Sequence, residues 1–202
     1  MAVMLSAASA LSWIAGVLGR ERDIGALVAG AETFERSKTA VAAAPIFLPY
    51  LSGERTPHND AAATSIFAGL RANHGADALV FAVMEGVAYS FADGVDVLDA
   101  AGARPVRPLL VGGGARSQFW GRMIADVTGL TIDLAAGAEA GAGLGAARLG
   151  MLAAGAGDIG TVCKRPATER TFVPDPERVA LHAPRLKRYR ALYQAEKAVR
   201  GA

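Results

Sequence analysis

Residues 109–123, with the sequence LLVGGGARSQFWGRM, combine patterns that predict a strand, a glycine turn and a helix. Leu109, Leu110 and Val111 form a short apolar run, which is typical of a buried strand. The three glycines that follow allow positive φ angles and let another molecule approach the backbone closely. From Ala115 onwards, apolar residues recur every three or four positions and predict a helix. A helix that starts in this way offers backbone N–H groups and a positive dipole end, so the stretch is a candidate nucleotide site.

Other glycine motifs fit this chain less well. No Gly-Lys-Ser/Thr follows the turn, as a P-loop requires, and Ser117 stands where a dinucleotide fingerprint needs its third glycine. A second pattern, Gly141-x-Gly143-x-x-Ala146, continues at helical spacing to Gly150, which we interpret as close helix packing. A turn that needs its glycines for geometry alone remains an alternative at residues 112–114.

Length and composition limit the classes of protein that this chain can belong to. Its 202 residues suffice for one sizeable domain, and 52% hydrophobic and 20% charged residues are typical of a soluble α/β protein. A net charge of +2 gives no indication of a nucleic-acid partner. The single cysteine, Cys163, excludes an internal disulfide and disfavours zinc, so we expect no metal site in the protein and a reducing, cytoplasmic setting.

The N-terminal third predicts helices and two short strands. Residues 1–18 carry no charge but meet charged residues too early for a membrane span, so they predict a buried amphipathic helix. Residues 21–45 predict connecting structure with one short helix, because Gly25, Gly30 and Pro45 interrupt the pattern. An edge strand is expected over 46–51 and a further strand over 64–70. The predicted apolar face of the first helix consists of Met4, Leu5, Ala8, Leu11, Ala15 and Leu18.

Two groups of charged residues in this region are functional candidates. The loop 52–60, SGERTPHND, carries Glu54, Arg55 and His58. It is either a binding loop or an ordinary surface loop whose charges are paired or solvated. Glu85 lies beside the predicted buried face of the next helix, where it either orients a nearby backbone or is solvated.

The central helix is expected to start at Asp77, as its N-cap, and to run to about residue 101. Its predicted buried face consists of Leu79, Ala82, Val83, Gly86, Val87, Ser90, Phe91, Val97 and Leu98. Ala82 and Gly86 would let another element approach closely. A strand over 130–134 and a small-residue helix over 137–154 are expected next. Residues 161–202 form a C-terminal extension with a basic helix near 184–199, on which Tyr189 and Tyr193 lie four residues apart, as on a packed helix face. This helix is otherwise expected to be solvated and not an RNA-binding patch.

This order of elements resembles the C-terminal half of the FGGY carbohydrate kinases, and most closely the members that act on D-xylulose. The segments that carry the resemblance are MLSAASALSW, FLPYLSGERTPHND, AVMEGVAYSFADGVDVL, GGGARSQFWGRMIADVTG and GLGAARLG. It implies an α/β fold, an actin-like (ribonuclease H-like) ATPase domain that is the C-terminal half of a two-domain sugar kinase. Residues 1–202 would then be a single nucleotide-binding domain, with 1–45 as an N-terminal helical segment and the N-terminal sugar-binding domain absent. One departure is Ala78, where the family usually has a polar or acidic residue.

The same resemblance implies an activity and a site. The activity is the ATP-dependent, Mg²⁺-dependent phosphorylation of D-xylulose to D-xylulose 5-phosphate. The partners would be the sugar, ATP and the N-terminal domain of the same enzyme, with a homodimer as one option and with no nucleic acid or membrane. The residues that would hold the adenosine of ATP are Gly112, Gly113, Gly114, Ala115 and Ser117.

The family's general-base aspartate is expected upstream of the residues that match this chain. No catalytic residue is therefore assigned, and this chain alone is expected to be inactive. The aspartates that do not occupy the base's position are Asp93, Asp96, Asp126 and Asp133. The open alternatives are an FGGY kinase for another sugar or polyol, a non-catalytic actin-like nucleotide-binding module, and a Rossmann oxidoreductase.

Overall fold

A computed structural model describes residues 1–201 of the protein, which contain eight α-helices, five β-strands and two short 3₁₀ turns. The helices are α1 Ala8–Val17, α2 Ile24–Glu35, α3 Lys38–Ala43, α4 Ala76–Ala100, α5 Gln118–Thr128, α6 Gly141–Ala153, α7 Ile159–Val162 and α8 Pro176–Arg200. The strands are β1 Ile46–Leu48, β2 Ile66–Ala68, β3 Leu109–Leu110, β4 Ile132–Ala135 and β5 Thr168–Phe172. The 3₁₀ turns are Gly113–Arg116 and Ala138–Ala140.

The strands form two small sheets. Strands β1 and β2 pair antiparallel, with Phe47 opposite Phe67. In the second sheet β4 lies in the middle, parallel to β3 and antiparallel to β5. A parallel pair needs a crossover connection, which α5 supplies between β3 and β4. The predicted α/β class and the two predicted N-terminal strands are therefore confirmed.

Helix α4 is the centre of the domain. Every residue from position 80 to 90 is buried, so the prediction of a single buried face is wrong. Helices α1, α2 and α5 and strand β1 pack against α4. The predicted close approach at Gly86 is confirmed, because a Cβ there would overlap the carbonyl oxygen of Phe47 in β1. Although α4 is long and apolar enough to cross a membrane, 83% of its most apolar 18-residue stretch is buried inside the protein, as in a core helix.

The N-terminal helices differ from the prediction. Helix α1 begins at Ala8, and its buried residues are Ala10, Leu11, Ile14 and Ala15, whereas the predicted face residues Leu5 and Ala8 are exposed. Residues 21–45 form two helices, α2 and α3, where one was expected.

A close contact explains why α2 contains glycine. A Cβ on Gly30 would overlap the carboxylate of Asp77 in α4, so this glycine lets the two helices approach. Asp77 itself is the second residue of α4 and not its cap. The N-cap position is Gly75, where no side chain accepts a hydrogen bond.

The predicted close packing of the small-residue helix holds only at its first residue, Gly141, where an added Cβ would lie 3.3 Å from the Cα of Gly112. No residue of α6 is buried. A Cβ added at Gly143, Gly145 or Gly150 would meet no atom within 4 Å. Leu149, on the same helix, is 68% exposed. Among residues 1–201, these later glycines of α6 therefore have no neighbouring element packed against them.

A buried ion pair attaches α8 to α4. Glu85 is fully buried and accepts hydrogen bonds from the Tyr89 hydroxyl at 2.7 Å and from the Nε of Arg185 at 2.8 Å. His182 Nδ1 lies 3.0 Å from the same carboxylate. Burial acts to raise the pKa of Glu85, but Arg185 and His182 outweigh it and hold that pKa below its ordinary value. Neither expectation for Glu85, orientation of a backbone or solvation, is correct.

The C-terminal helix is longer than expected. It starts at Pro176, after the cap residue Asp175, and continues through Pro184, where the helix was predicted to begin. Its side chains Tyr189 and Tyr193 are buried, so the packed face that their spacing predicts is confirmed.

Candidate functional site

The glycine turn has a different geometry from the one predicted. Strand β3 is only partly buried, and Val111 is 51% exposed, because β3 lies at the edge of its sheet. Of the three glycines only Gly112 has a positive φ, +90°. The next residues form the 3₁₀ turn Gly113–Arg116, so α5 begins at Gln118, three residues later than the apolar pattern suggested. Only Gly112 therefore needs to be glycine for the backbone conformation of the turn.

Side-chain hydrogen bonds hold the turn in place. The Ser117 hydroxyl accepts from the backbone N–H of Trp120 at 3.1 Å and so caps α5. Trp120 is buried, and its indole N–H donates to the carbonyl oxygen of Met84 at 2.9 Å. On the other side, the backbone N–H of Gly112 donates to Ala138 at 2.7 Å. The turn is thus attached both to α4 and to the segment that leads into α6.

A pocket of about 560 Å³ lies between this turn and helices α1 and α2. That volume is within the range of sites for small organic ligands. The residues that line it are Ala8, Leu11, Ser12, Ile24, Gly25, Val28, Gly113, Gly114, Arg116, Ser117 and Trp120. Most of them are apolar or small. The polar groups are the hydroxyls of Ser12 and Ser117 and the guanidinium of Arg116.

Three of the five predicted site residues share this pocket, namely Gly113, Gly114 and Ser117. Gly112 and Ala115 do not line it. Gly112 supplies the turn geometry, and Ala115 is buried and borders a smaller cavity of about 140 Å³ on the other side of the turn. Three of the five residues therefore lie on one surface, and the binding of adenosine there stays a prediction.

The opposite wall of the pocket was not predicted from the sequence. Helix α1 contributes Ala8, Leu11 and Ser12, and helix α2 contributes Ile24, Gly25 and Val28. The two walls meet where a Cβ on Gly114 would lie 4.0 Å from the Cβ of Ala8. No local pattern identifies these residues, because they lie about a hundred positions before the turn and carry no chemically distinctive side chain.

The loop 52–60 is a structural connection. Glu54 is buried, and its Oε1 accepts from the backbone N–H groups of Leu5 at 3.0 Å and Arg55 at 2.8 Å. Burial raises the pKa of Glu54. His58 stacks on Tyr193 with the ring centres 3.5 Å apart, and burial lowers its pKa. Glu54 and His58 thus join the N-terminal segment and α8 to the domain. The carboxylate of Glu54 is neither exposed nor in an ion pair with Arg55, so the expectation of a solvated or paired charge is wrong for Glu54, and the binding-loop interpretation stays a prediction.

The four aspartates that do not occupy the position of the family's general base have structural partners. Asp93 and Asp96 both pair with Arg190, at 2.7 and 2.6 Å. Asp126 accepts from the backbone N–H of Asp175 at 2.8 Å. The remaining aspartate, Asp133, pairs with Arg107 at 2.7 Å, which holds the pKa of that carboxyl well below its usual range.

None of these aspartates lines the pocket. Within residues 1–201, no group of three His, Cys, Asp or Glu side chains is placed to hold a metal ion.

Comparison with known proteins identifies the family. The sequence profile described as the FGGY family of carbohydrate kinases, C-terminal domain, matches residues 3–154. The chain belongs to this family. Residues 3–154 of this FGGY chain include all residues that line the pocket and end one residue after α6.

Among its relatives, the xylulose kinase of Escherichia coli is 44% identical over 196 residues, which are 96% of this chain and 39% of that protein. The solved structure named xyloylose kinase from Brucella ovis is 40% identical, with a TM-score of 0.83 over 98% of this chain and 40% of that one. A xylulose kinase structure from Rhodospirillum rubrum is 31% identical, with a TM-score of 0.78 over 98% of this chain and 40% of that one. The actin-like kinase fold is therefore confirmed, and the chain spans about two fifths of the length of these relatives.

Proposed function

We propose that this chain provides the ATP-binding half of a kinase that phosphorylates D-xylulose to D-xylulose 5-phosphate. The observation that supports this most directly is the pocket between the glycine turn and helices α1 and α2. It lies within the family-matched residues, and the relatives of highest identity given above are named xylulose kinases. In this proposal the phosphoryl donor is ATP, and the setting is the cytoplasm.

The pocket has the chemistry that an adenosine group needs. Its walls are mostly apolar, as suits a flat purine ring, and two hydroxyls, those of Ser12 and Ser117, are available for hydrogen bonds. At Gly113 and Gly114 the backbone is bare, so a ligand can lie directly against the main chain. We therefore assign the adenosine to Gly113, Gly114 and Ser117, with Gly112 and Ala115 supporting the turn.

The rest of the reaction needs groups that we place in the part of the relatives that this chain does not match. Phosphoryl transfer depends on positioning and on stabilising charge on the phosphates, with a base that accepts the proton of the attacking hydroxyl. The aspartates examined above are engaged in structural contacts away from the pocket. Mg²⁺ is held mainly by phosphate oxygens and water in such sites, which fits a metal that arrives with ATP.

Nucleotide binding by this chain is the first test. Isothermal titration with ATP, adenosine and NAD should give binding of ATP and adenosine, and no tighter binding of NAD, which contains the same adenosine. A preference for NAD would support the oxidoreductase alternative and contradict the proposal. Binding of ATP alone would not establish turnover, so the activity requires a second experiment.

Turnover can be tested in a chimera that joins the N-terminal part of the E. coli xylulose kinase to this chain. We expect the chimera to form ADP with D-xylulose in a coupled spectrophotometric assay, and each half alone to form none. D-ribulose, glycerol and gluconate serve as a substrate panel. A folded chimera that binds ATP but phosphorylates no sugar would support the non-catalytic module, and a preference for another sugar would assign a different FGGY activity.

A further inference from the structure

Arg116 is the one charged residue that lines the pocket between the glycine turn and α1–α2 in the described chain. It lies in the 3₁₀ turn Gly113–Arg116, directly before the cap residue Ser117. The sequence patterns gave it no role, because it falls between the glycines and the serine of the motif. Its side chain is exposed, at the same wall of the pocket as Gly113 and Gly114.

No structural partner accounts for this arginine. Within residues 1–201, Arg116 makes no side-chain hydrogen bond and no ion pair within 4.0 Å. The smaller cavity on the other side of the turn, which Arg116 also borders, is lined by Glu139 and Glu169, yet neither forms an ion pair with it. Other arginines of the domain do have such partners, for example Arg107 with Asp133 and Arg185 with Glu85. The guanidinium therefore has donors to offer to a ligand.

We propose that Arg116 contacts the adenosine and covers the open side of the purine ring. This inference rests on the proposed function, because it requires a nucleotide in the pocket. A planar guanidinium stacks well on flat aromatic rings, and it is more weakly hydrated than an ammonium group. On the side of the pocket, the groups around Arg116, namely Gly113, Gly114 and Trp120, are uncharged. Stacking on a base needs only one planar group, and Arg116 is the single cation that lines the pocket in the described chain, which favours the base as the contact.

Two substitutions separate stacking from simple charge. Arg116→Ala removes the guanidinium, whereas Arg116→Lys keeps the charge and loses the planar group. Binding of adenosine and of ATP is measured for each by titration calorimetry on the chain of 202 residues. Arg71→Ala, an exposed arginine in the loop before α4, is the control, since it lies outside the pocket.

We expect Arg116→Ala to weaken the binding of adenosine and of ATP by the same factor, about three- to tenfold, as for a cation–π contact at a partly exposed site. Arg116→Lys should recover little of this loss, and Arg71→Ala should show none. The melting temperature without ligand should stay within about 1 °C of the wild type in all three variants, since Arg116 and Arg71 stabilise no other side chain.

Two outcomes would overturn the assignment. If Arg116→Ala weakens the binding of ATP but not of adenosine, and Arg116→Lys restores ATP binding, the residue contacts a phosphate and not the base. If Arg116→Ala weakens the binding of neither adenosine nor ATP, Arg116 is an ordinary surface residue. A wild-type chain that binds neither adenosine nor ATP would be a different failure, since it would contradict the proposed function and this inference together.

Discussion

Adjacent glycines in the turn have different structural reasons to be glycine, and alanine substitutions can separate these reasons. At Gly112 the backbone has φ +90° and ψ −173°, a region that residues with a Cβ rarely adopt. At Gly113 the φ is not positive, and an added Cβ would meet no atom within 4 Å. Gly113 lines the pocket and Gly112 does not. We therefore expect Gly112→Ala to affect stability and Gly113→Ala to affect ligand binding.

The size of each effect follows from this geometry. Forcing alanine into the conformation of Gly112 costs about 1–3 kcal/mol. For a chain of this length, 1 kcal/mol corresponds to roughly 2–4 °C in melting temperature, so the expected decrease is about 2–12 °C. Gly113→Ala should leave the melting temperature unchanged or raise it slightly, because alanine restricts the unfolded chain by about 0.4–1 kcal/mol. A methyl group on this pocket wall should weaken the binding of ATP by about tenfold, or about 1.4 kcal/mol.

Thermal unfolding without ligand and ATP titration of the same samples provide the assay. Gly114→Val is a stronger form of the second change, since its Cβ would lie 3.5 Å from the Trp120 ring in ordinary contact while its methyl groups extend beyond. If ATP affinity is unaltered in folded Gly113→Ala and Gly114→Val proteins, the adenosine assignment is wrong and the glycines serve the turn alone. If Gly112→Ala melts like the wild type, the strain argument is wrong.

Further substitutions test the packing and the electrostatics described above. Gly86→Leu should destabilise the domain by about 1–3 kcal/mol or more in a urea melt, because β1 leaves no room for a side chain, whereas Gly143→Leu on the open face of α6 should not. Ser117→Ala removes the cap of α5 and should cost about 0.5–2 kcal/mol. Glu85→Gln breaks a fully buried ion pair and should cost about 3–5 kcal/mol. The folded pKa of Glu85 lies below its unfolded value of about 4.3, so its stabilising contribution is complete above that pH and is lost as the pH falls through the folded pKa. Wild-type and Glu85→Gln urea midpoints measured from pH 7 to pH 3 should therefore converge, and a constant difference would contradict the ion-pair account.

Local sequence predicted the elements whose signals lie within a few residues. The glycine turn, the helix after it and the paired strands β1 and β2 were recognisable because turn residues and apolar periodicity are local properties. The start of α5 was missed by three residues, since the 3₁₀ turn before it carries the same kind of apolar residue, Ala115, in a different conformation.

Tertiary contacts account for the errors. Gly30 was interpreted as a helix breaker, yet it lies inside α2, where it makes room for Asp77 of α4. The small residues of α6 predict close packing along the helix, yet among the described residues Gly112 approaches Gly141, and Gly143, Gly145 and Gly150 face open space. Glycine at helical spacing shows that an approach is possible and does not identify the partner. The pocket wall formed by α1 and α2 was missed for the same reason, because its residues acquire a role only through the fold.

The buried contact between Glu85 and Arg185 has a consequence for the limits of the folding unit. The family profile ends at residue 154, but Arg185 and His182, which neutralise and bind Glu85, lie in α8, beyond that limit. A chain cut at residue 154 would lack both the counter-charge of Glu85 and the helix that covers it, and removing one partner of a buried ion pair costs about 3–5 kcal/mol. The family profile therefore ends short of the folding unit, because α8, which lies outside the profile, completes a contact at the centre of the domain.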